Sequence, residues 1–214
     1  DHLMSSREIT WLTLYGDSIS GNCQKPRWTA DYLDLEHDWV EVDILNGGTQ
    51  SEEFLSLNPV GQVPIARWPD GRVLPQSNAI MLYLADGSDL IPGDSFQRAQ
   101  MNSWLFWEQY SHETSIAVRR FKKHYLKLPD DEIDPQLMVK GRRALGVMEM
   151  QLTWTDWLVG DALTCADIAL VAYTRVAHEG GFDLAEFPNV ERWVSRVEGA
   201  LSIGHAMPKQ GVTL

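Results

Sequence analysis

The chain has 214 residues, more than one typical domain and fewer than two full-sized ones, so it can bury a sizeable core. Its 30 Asp and Glu against 18 Lys and Arg leave a net charge of −12, a surface that repels phosphate backbones, and nucleic acid is set aside as a partner. Two cysteines are too few for a disulfide framework, the opening DHLMSSREIT is polar, and no run of about 18 apolar residues could cross a membrane, so a cytoplasmic protein without membrane contact is expected.

Residues 7 to 87 switch between two periodicities. ITWLTLYG, 9–16, is rich in β-branched and aromatic residues and predicts a strand. QKPRWTADYLDLE, 24–36, predicts a helix with Pro26 in its first turn, where a missing N–H costs little. DWVEVDIL, 38–45, reads as a second strand, and SEEFLSLNP, 51–59, as a short helix stopped at Asn58-Pro59. VPIARW and VLPQ, 63–68 and 73–76, are strands about Asp70-Gly71, a hairpin signal. SNAIMLYLADG, 77–87, is a helix with Gly87 just past its end. The order β-α-β-α-β-β-α describes an α/β domain with a mixed sheet.

SDLIPGD, 88–94, holds Pro92 and Gly93 and reads as a linker. Strand signals then vanish, and residues 95–208 read as an all-α domain. One long helix is predicted over 95–128, broken by PDDEIDP, and a second over 136–157. A third lies in LTCADIALVAYTRVAHEGG, ended by Gly180-Gly181, and a fourth in NVERWVSRVEG, stopped by Gly199. RRFKKH, 119–124, carries charges at mixed helical phases and reads as a solvated helix face. The nine tryptophans read chiefly as core and helix-packing residues.

Four stretches could carry chemistry. In NPVGQVPIARW, Pro64 opens a strand; a cis Val63–Pro64 bond would offer the Val63 main chain to an extended peptide, and an ordinary trans proline is the plainer alternative. In LPQSNAIMLYLA, Ser77 is placed to cap a helix whose free N–H groups favour an anion, with the Gln76 amide just outside. In LTCADIAL, Thr164 and Asp167 have the spacing of a capping box, and Cys165 within that turn reads as buried. In SGNC, 20–23, the Ser20 hydroxyl could cap a helix or donate to a ligand anion, while Cys23 lies one turn in, deep for a reactive thiol. The histidines show no metal-ligand spacing, so no metal is expected.

Taken in order, LYGDSISGNC, LNPVGQVP, QSNAI, LTCADIALVAY and FPNVERWVSRVEG resemble the cytosolic glutathione S-transferases, over roughly residues 9 to 200. The resemblance implies a thioredoxin-like glutathione-binding domain over 7–87, an all-α domain over 95–208, a cis Pro64 and a homodimer in the detoxification role of that family. It is to the serine-type, bacterial-like classes, whose activating hydroxyl follows LYG by four positions. That position is Ser20, which by resemblance donates to the glutathione sulfur and stabilises the thiolate. A free thiol has a pKa near 8.5, and one donor with a helix N-terminus can lower it by about two units, about 3 kcal/mol.

Tyr15, Ser18, Cys23 and Asn22 are the competing positions for that role. By the same resemblance Gln76 and Ser77 hold the γ-glutamyl end, Val63 pairs with the cysteinyl unit, and Gln50 and Gln62 lie at the glycyl end. Many members place a cation near GGTQSEE, where this chain has Thr49, Gln50 and Ser51 followed by Glu52 and Glu53; Lys25, Arg27 or a partner chain could supply one. Phe106, Trp107 and Tyr110 are candidate walls for a small apolar electrophile, with Phe106 and Tyr110 on one helix face at i, i+4. The activity expected is glutathione transfer; peroxidase, isomerase or dehalogenase chemistry would use the same thiolate, and a non-catalytic ligand- or partner-binding protein could share the fold.

Overall fold

The structure, a computed structural model, describes residues 11–206. Readings that touch residues 7–10 and 207–208 lie outside that range. The chain divides into two compact units, residues 1–86 and 87–214.

The first unit is a four-stranded sheet with strand order β2-β1-β3-β4. β1 (Leu12–Gly16) runs parallel to β2 (His37–Glu41) and antiparallel to β3 (Ile65–Arg67), which pairs antiparallel with β4 (Val73–Pro75). The helices are α1 (Gly21–Tyr32), α2 (Glu52–Leu57) and α3 (Ser77–Ala85). Side chains of a strand alternate between faces, and β1 uses both. Leu12 and Leu14 join Ala66, Trp68, Ala30 of α1 and Ile80 and Leu84 of α3 in one core. Tyr15 faces the other way and packs with Val42, Phe54 of α2 and Ile65. This is the thioredoxin-like βαβαββα arrangement.

The second unit is helical: α4 (Ser95–Trp107), α5 (Glu113–Arg120), α6 (Pro135–Leu152), α7 (Cys165–Thr174) and α8 (Pro188–Ala200). Every residue of α7 is buried, and apart from Asp167 and Thr174 its side chains are mostly apolar on every face. Its start is fixed by the capping box read from sequence. Ala166 N–H donates to Thr164 Oγ1 at 3.2 Å, and Asp167 Oδ2 accepts from Thr164 N–H at 2.9 Å. The other oxygen, Asp167 Oδ1, accepts from Leu158 N–H at 3.0 Å and from the Trp193 indole at 2.8 Å.

Several local readings are corrected. α1 begins at Gly21, so Pro26 stands in the helix interior as its sixth residue, where it cannot donate to the Asn22 carbonyl. The predicted helix over 95–128 is not one α-helix: π-helical turns at Glu108–His112 and Phe121–Tyr125 interrupt its period. The first of these begins after Phe106 and contains Tyr110, which shifts the simple i, i+4 register assumed for them. α6 stops at Leu152 rather than 157, and α8 runs one residue past Gly199. RRFKKH is not wholly a solvated face, because Arg119 and Arg120 are buried. Arg119 donates to the Gly180 carbonyl and pairs with Asp130, and Arg120 pairs with Glu179 at 2.7 Å. Asp130 and Glu179 come from elsewhere in the unit, and the local pattern carried no sign of them.

Candidate active site

The site is built where β1 hands the chain to α1. After Gly16 the loop runs through Asp17, Ser18 and Ile19 to Ser20, which occupies the N-cap position of α1 with extended backbone, φ −83° and ψ 122°. The Ser20 hydroxyl makes no capping bond to its helix. It reaches the thiol of Cys23 instead. Cys23 is buried, and that burial pushes its thiol up to about 11 against the downward pull of the Ser20 hydrogen bond, so it is neutral and a poor nucleophile near neutral pH. Ser18 is committed elsewhere: its N–H and hydroxyl both donate to the Glu41 carboxylate, at 2.8 and 2.7 Å. Burial nudges Glu41 up, but Ser18, the Trp39 indole and the Arg27 guanidinium outweigh it and hold the carboxyl below its usual range. Tyr15 lies beneath α2, lining a cavity of about 210 Å³ with Val42, Phe54 and Leu57, on the sheet face away from α1.

A second helix N-terminus meets the first. Ser77 Oγ donates to Asn22 Oδ1 at 3.3 Å, joining the first turns of α3 and α1. Ser77 was expected as the cap of α3; it is the first helical residue, and Gln76 holds the cap position. Gln76 has φ 76° and ψ 115°, a conformation that L residues rarely adopt, and its side chain is exposed. Two helix N-termini side by side direct the positive ends of their dipoles to the same small region, which suits an anionic ligand. Lys25 is fully buried and donates to Asn78 Oδ1 at 3.3 Å, one residue beyond Ser77. It therefore reinforces the α1–α3 junction.

The remaining first-unit candidates cluster around the loop before β3. The Val63–Pro64 bond is cis. Asn58 Nδ2 donates to the Gln62 carbonyl at 2.9 Å, and no hydrogen bond engages the Val63 main chain among the described residues. Gln62 is exposed, and Gln50 lies over the same loop, its amide 3.4 Å from the Gly61 carbonyl. A side chain on Gly61 would collide with that amide at 2.8 Å, and Gly61 also needs its positive φ of 68°. Arg27 stacks on the Trp39 ring, 4.5 Å from its centroid.

Residues 19–86 match the family of the glutathione S-transferase N-terminal domain, and residues 115–200 that of the glutathione S-transferase C-terminal domain. A glutathione S-transferase from Pseudomonas fluorescens is similar in structure, with 45% identity, a TM-score of 0.86, and coverage of 94% of this chain and 100% of that one. The chain belongs to the glutathione S-transferase family. Protein LigF from a Sphingobium species is 29% identical, over 92% of this chain and 93% of that protein. Ure2p in complex with glutathione is 26% identical with a TM-score of 0.81, covering 89% of this chain and 96% of that one.

The glutathione S-transferase fold accounts for which first-unit residues come together. Ser20, Asn22, Ser77 and Gln76 share the paired helix ends, and Gln62 and Val63 share the cis-proline loop, over which Gln50 lies. In the second unit, Phe106 and Tyr110 are 78% and 85% exposed. Trp107 is half-buried, edge-on to Trp104 at 5.2 Å between ring centroids, and 5.9 Å from the His112 ring. Among the described residues no group of three or more His, Cys, Asp or Glu could hold a metal ion, and no helix is long and apolar enough to cross a membrane. Two residues that the sequence did not single out, Asp17 and Glu41, hold the serine loop. The Asp after a strand-ending Gly is a turn signal, but its partners are far off in sequence and left no trace in local spacing.

Proposed function

We propose that the protein binds glutathione and stabilises its thiolate for attack on a small apolar electrophile, the reaction of a glutathione transferase, with Ser20 as the residue that donates to the sulfur. The observation that carries this reading is the Ser20 hydroxyl at the start of α1, unspent on capping, beside the Asn22–Ser77 hydrogen bond that joins two helix N-termini. A bound thiolate there would gain one hydroxyl donor and the positive ends of α1 and α3. Gln76 and Ser77 would take the γ-glutamyl end, the Val63 main chain the cysteinyl amide groups, and Gln50 and Gln62 the glycyl end. Asn22 is the reserve donor, because an amide can also stabilise a thiolate. The Cys23 thiol, neutral and buried, is not the nucleophile.

Phe106, Trp107 and Tyr110 are the proposed walls for the electrophile. A homodimer belongs to the same reading: Phe96, Met150 and Trp154 leave the second unit with large apolar side chains in solvent, the composition of an interface core. Peroxidase, isomerase or dehalogenase chemistry would draw on the same thiolate, and a substrate panel separates them.

Ser20→Ala tests the assignment. Removing a hydrogen bond to a charged group costs about 1.5–3 kcal/mol, so kcat/KM with a model aryl halide should fall tenfold or more. Unchanged kinetics in a folded Ser20→Ala protein would remove Ser20 from the mechanism and pass the role to Asn22.

A further inference from the structure

Asp17 is 4% exposed, directly behind the serine loop, and every acceptor it has is aimed at a main-chain N–H. Its Oδ1 accepts from Ile19 N–H at 3.0 Å, and its carbonyl accepts from Ser20 N–H at 3.0 Å. These two bonds fix the residues immediately before α1. Its Oδ2 accepts from Ile44 N–H at 3.0 Å, across 27 residues of sequence. Ile44 opens the segment that turns back through Gly48, whose N–H donates to the Asp43 carbonyl at 2.8 Å, and delivers Gln50 to the Gly61 carbonyl. One carboxylate therefore holds the loop that presents Ser20 and, with its other oxygen, the loop that presents Gln50.

A second tether acts on the serine loop alone. Ser18 is bound through N–H and hydroxyl to Glu41, and its carbonyl accepts from Gln24 Nε2 at 2.9 Å. The loop is pinned from both sides at single-residue intervals. A hydroxyl that must meet a thiolate within hydrogen-bond distance needs that degree of fixing, because small displacements cost large factors in rate.

We infer that Asp17 is a positioning residue for glutathione activation, setting the Ser20 hydroxyl and coupling it to the glycyl-end segment that carries Gln50. The inference rests on the Ser20 reading above. It requires Asp rather than Asn at position 17. Both oxygens face N–H donors, and an amide would turn its own NH₂ against one of them, so Asp17→Asn must surrender either the Ile19 or the Ile44 bond.

The sign of one measurable quantity separates positioning from simple charge. The Asp17 carboxylate is a negative charge near the start of α1, and it acts upward on the neighbouring Cys23 thiol. If charge were its only role, neutralising it would lower the pKa of a glutathione thiol bound there. If it positions Ser20, losing it weakens the donor and raises that pKa. The experiment is a titration of bound glutathione from about pH 5 to pH 9, following the ultraviolet absorbance of the thiolate, on wild type, Ser20→Ala, Asp17→Asn and Ser18→Ala. We expect the bound thiol pKa to rise by about half a unit or more in Asp17→Asn, with a higher KM for glutathione, and by less in Ser18→Ala, which changes no charge. A pKa that is unchanged or lower in folded Asp17→Asn, while Ser20→Ala raises it, overturns the positioning role alone. An unchanged pKa in Ser20→Ala overturns the Ser20 assignment and this inference with it. Should Asp17→Asn not fold, Asp17→Glu decides, since it keeps the charge and moves both oxygens off the Ile19 and Ile44 N–H groups: a raised bound-thiol pKa supports positioning by Asp17 and an unchanged one overturns it.

Discussion

Ser20 and Cys23 stand one helical turn apart and touch, yet the chemistry open to them differs. Burial holds the Cys23 thiol neutral, so the Ser20 hydroxyl faces a poor acceptor that a thiolate would readily displace. Removing the thiol should therefore leave catalysis in place. Cys23→Ala is expected to keep kcat/KM within about threefold of wild type while losing about 1 kcal/mol of stability from the small cavity. Alkylation followed by mass spectrometry gives a parallel check, with Cys23 modified only after unfolding; rapid labelling of the native protein would contradict the buried, neutral thiol. At this scale the sequence carried the depth of Cys23, since three positions into a helix already argues against an exposed sulfur. It did not carry the role of Ser77. Spacing marked that residue as a cap, but its hydroxyl is claimed by Asn22, 55 residues away, and only the packing of α3 on α1 brings the two together.

Among the elements, α7 is the one whose start can be tested most cleanly. Asp167 is fully buried, and its two oxygens serve Thr164 N–H, Leu158 N–H and the Trp193 indole. Asp167→Ala removes the capping box and strands three buried donors, so a loss of about 3 kcal/mol or more is expected in denaturant unfolding. Burial pushes this carboxyl from 3.8 up to about 6, over the opposing hydrogen bonds of Thr164, Trp193 and Leu158. An acid whose folded pKa lies above its unfolded one binds its proton more tightly when folded. Its contribution to stability is therefore greatest below about pH 4 and is lost as pH rises through about 6. The stability of wild type relative to Asp167→Asn should accordingly decline across that window, and a rise would contradict the assignment. The capping box was legible because its residues are three apart. The interior place of Pro26 and the π-helical turns were not, because each follows from how a helix is held by its neighbours rather than from its own periodicity. Glu41 illustrates the same limit at the site: its three donors come from Ser18 and Trp39, and only pairing of β1 with β2 sets Ser18 beside it.

At the scale of the molecule, an α/β unit is followed by a helical one, an order already written in the change from alternating to helical periodicity near residue 88. The acidic balance of the chain argues against nucleic acid and leaves a small anion to be drawn by local positive potential, from helix N-termini rather than from surface lysines. On the proposed reading, the amides of Gln50 and Gln62 would meet the glycyl end of glutathione, beside a neutral segment. The account as a whole turns on whether glutathione binds as a thiolate through Ser20. Calorimetry of glutathione binding from about pH 5 to pH 9, in buffers of different ionisation enthalpy, reads the protons released on binding by wild type and Ser20→Ala. Close to one proton released by wild type near neutral pH, and much less by the variant, is the expected result. Binding with equal proton release in both proteins, or no binding by wild type, would contradict it.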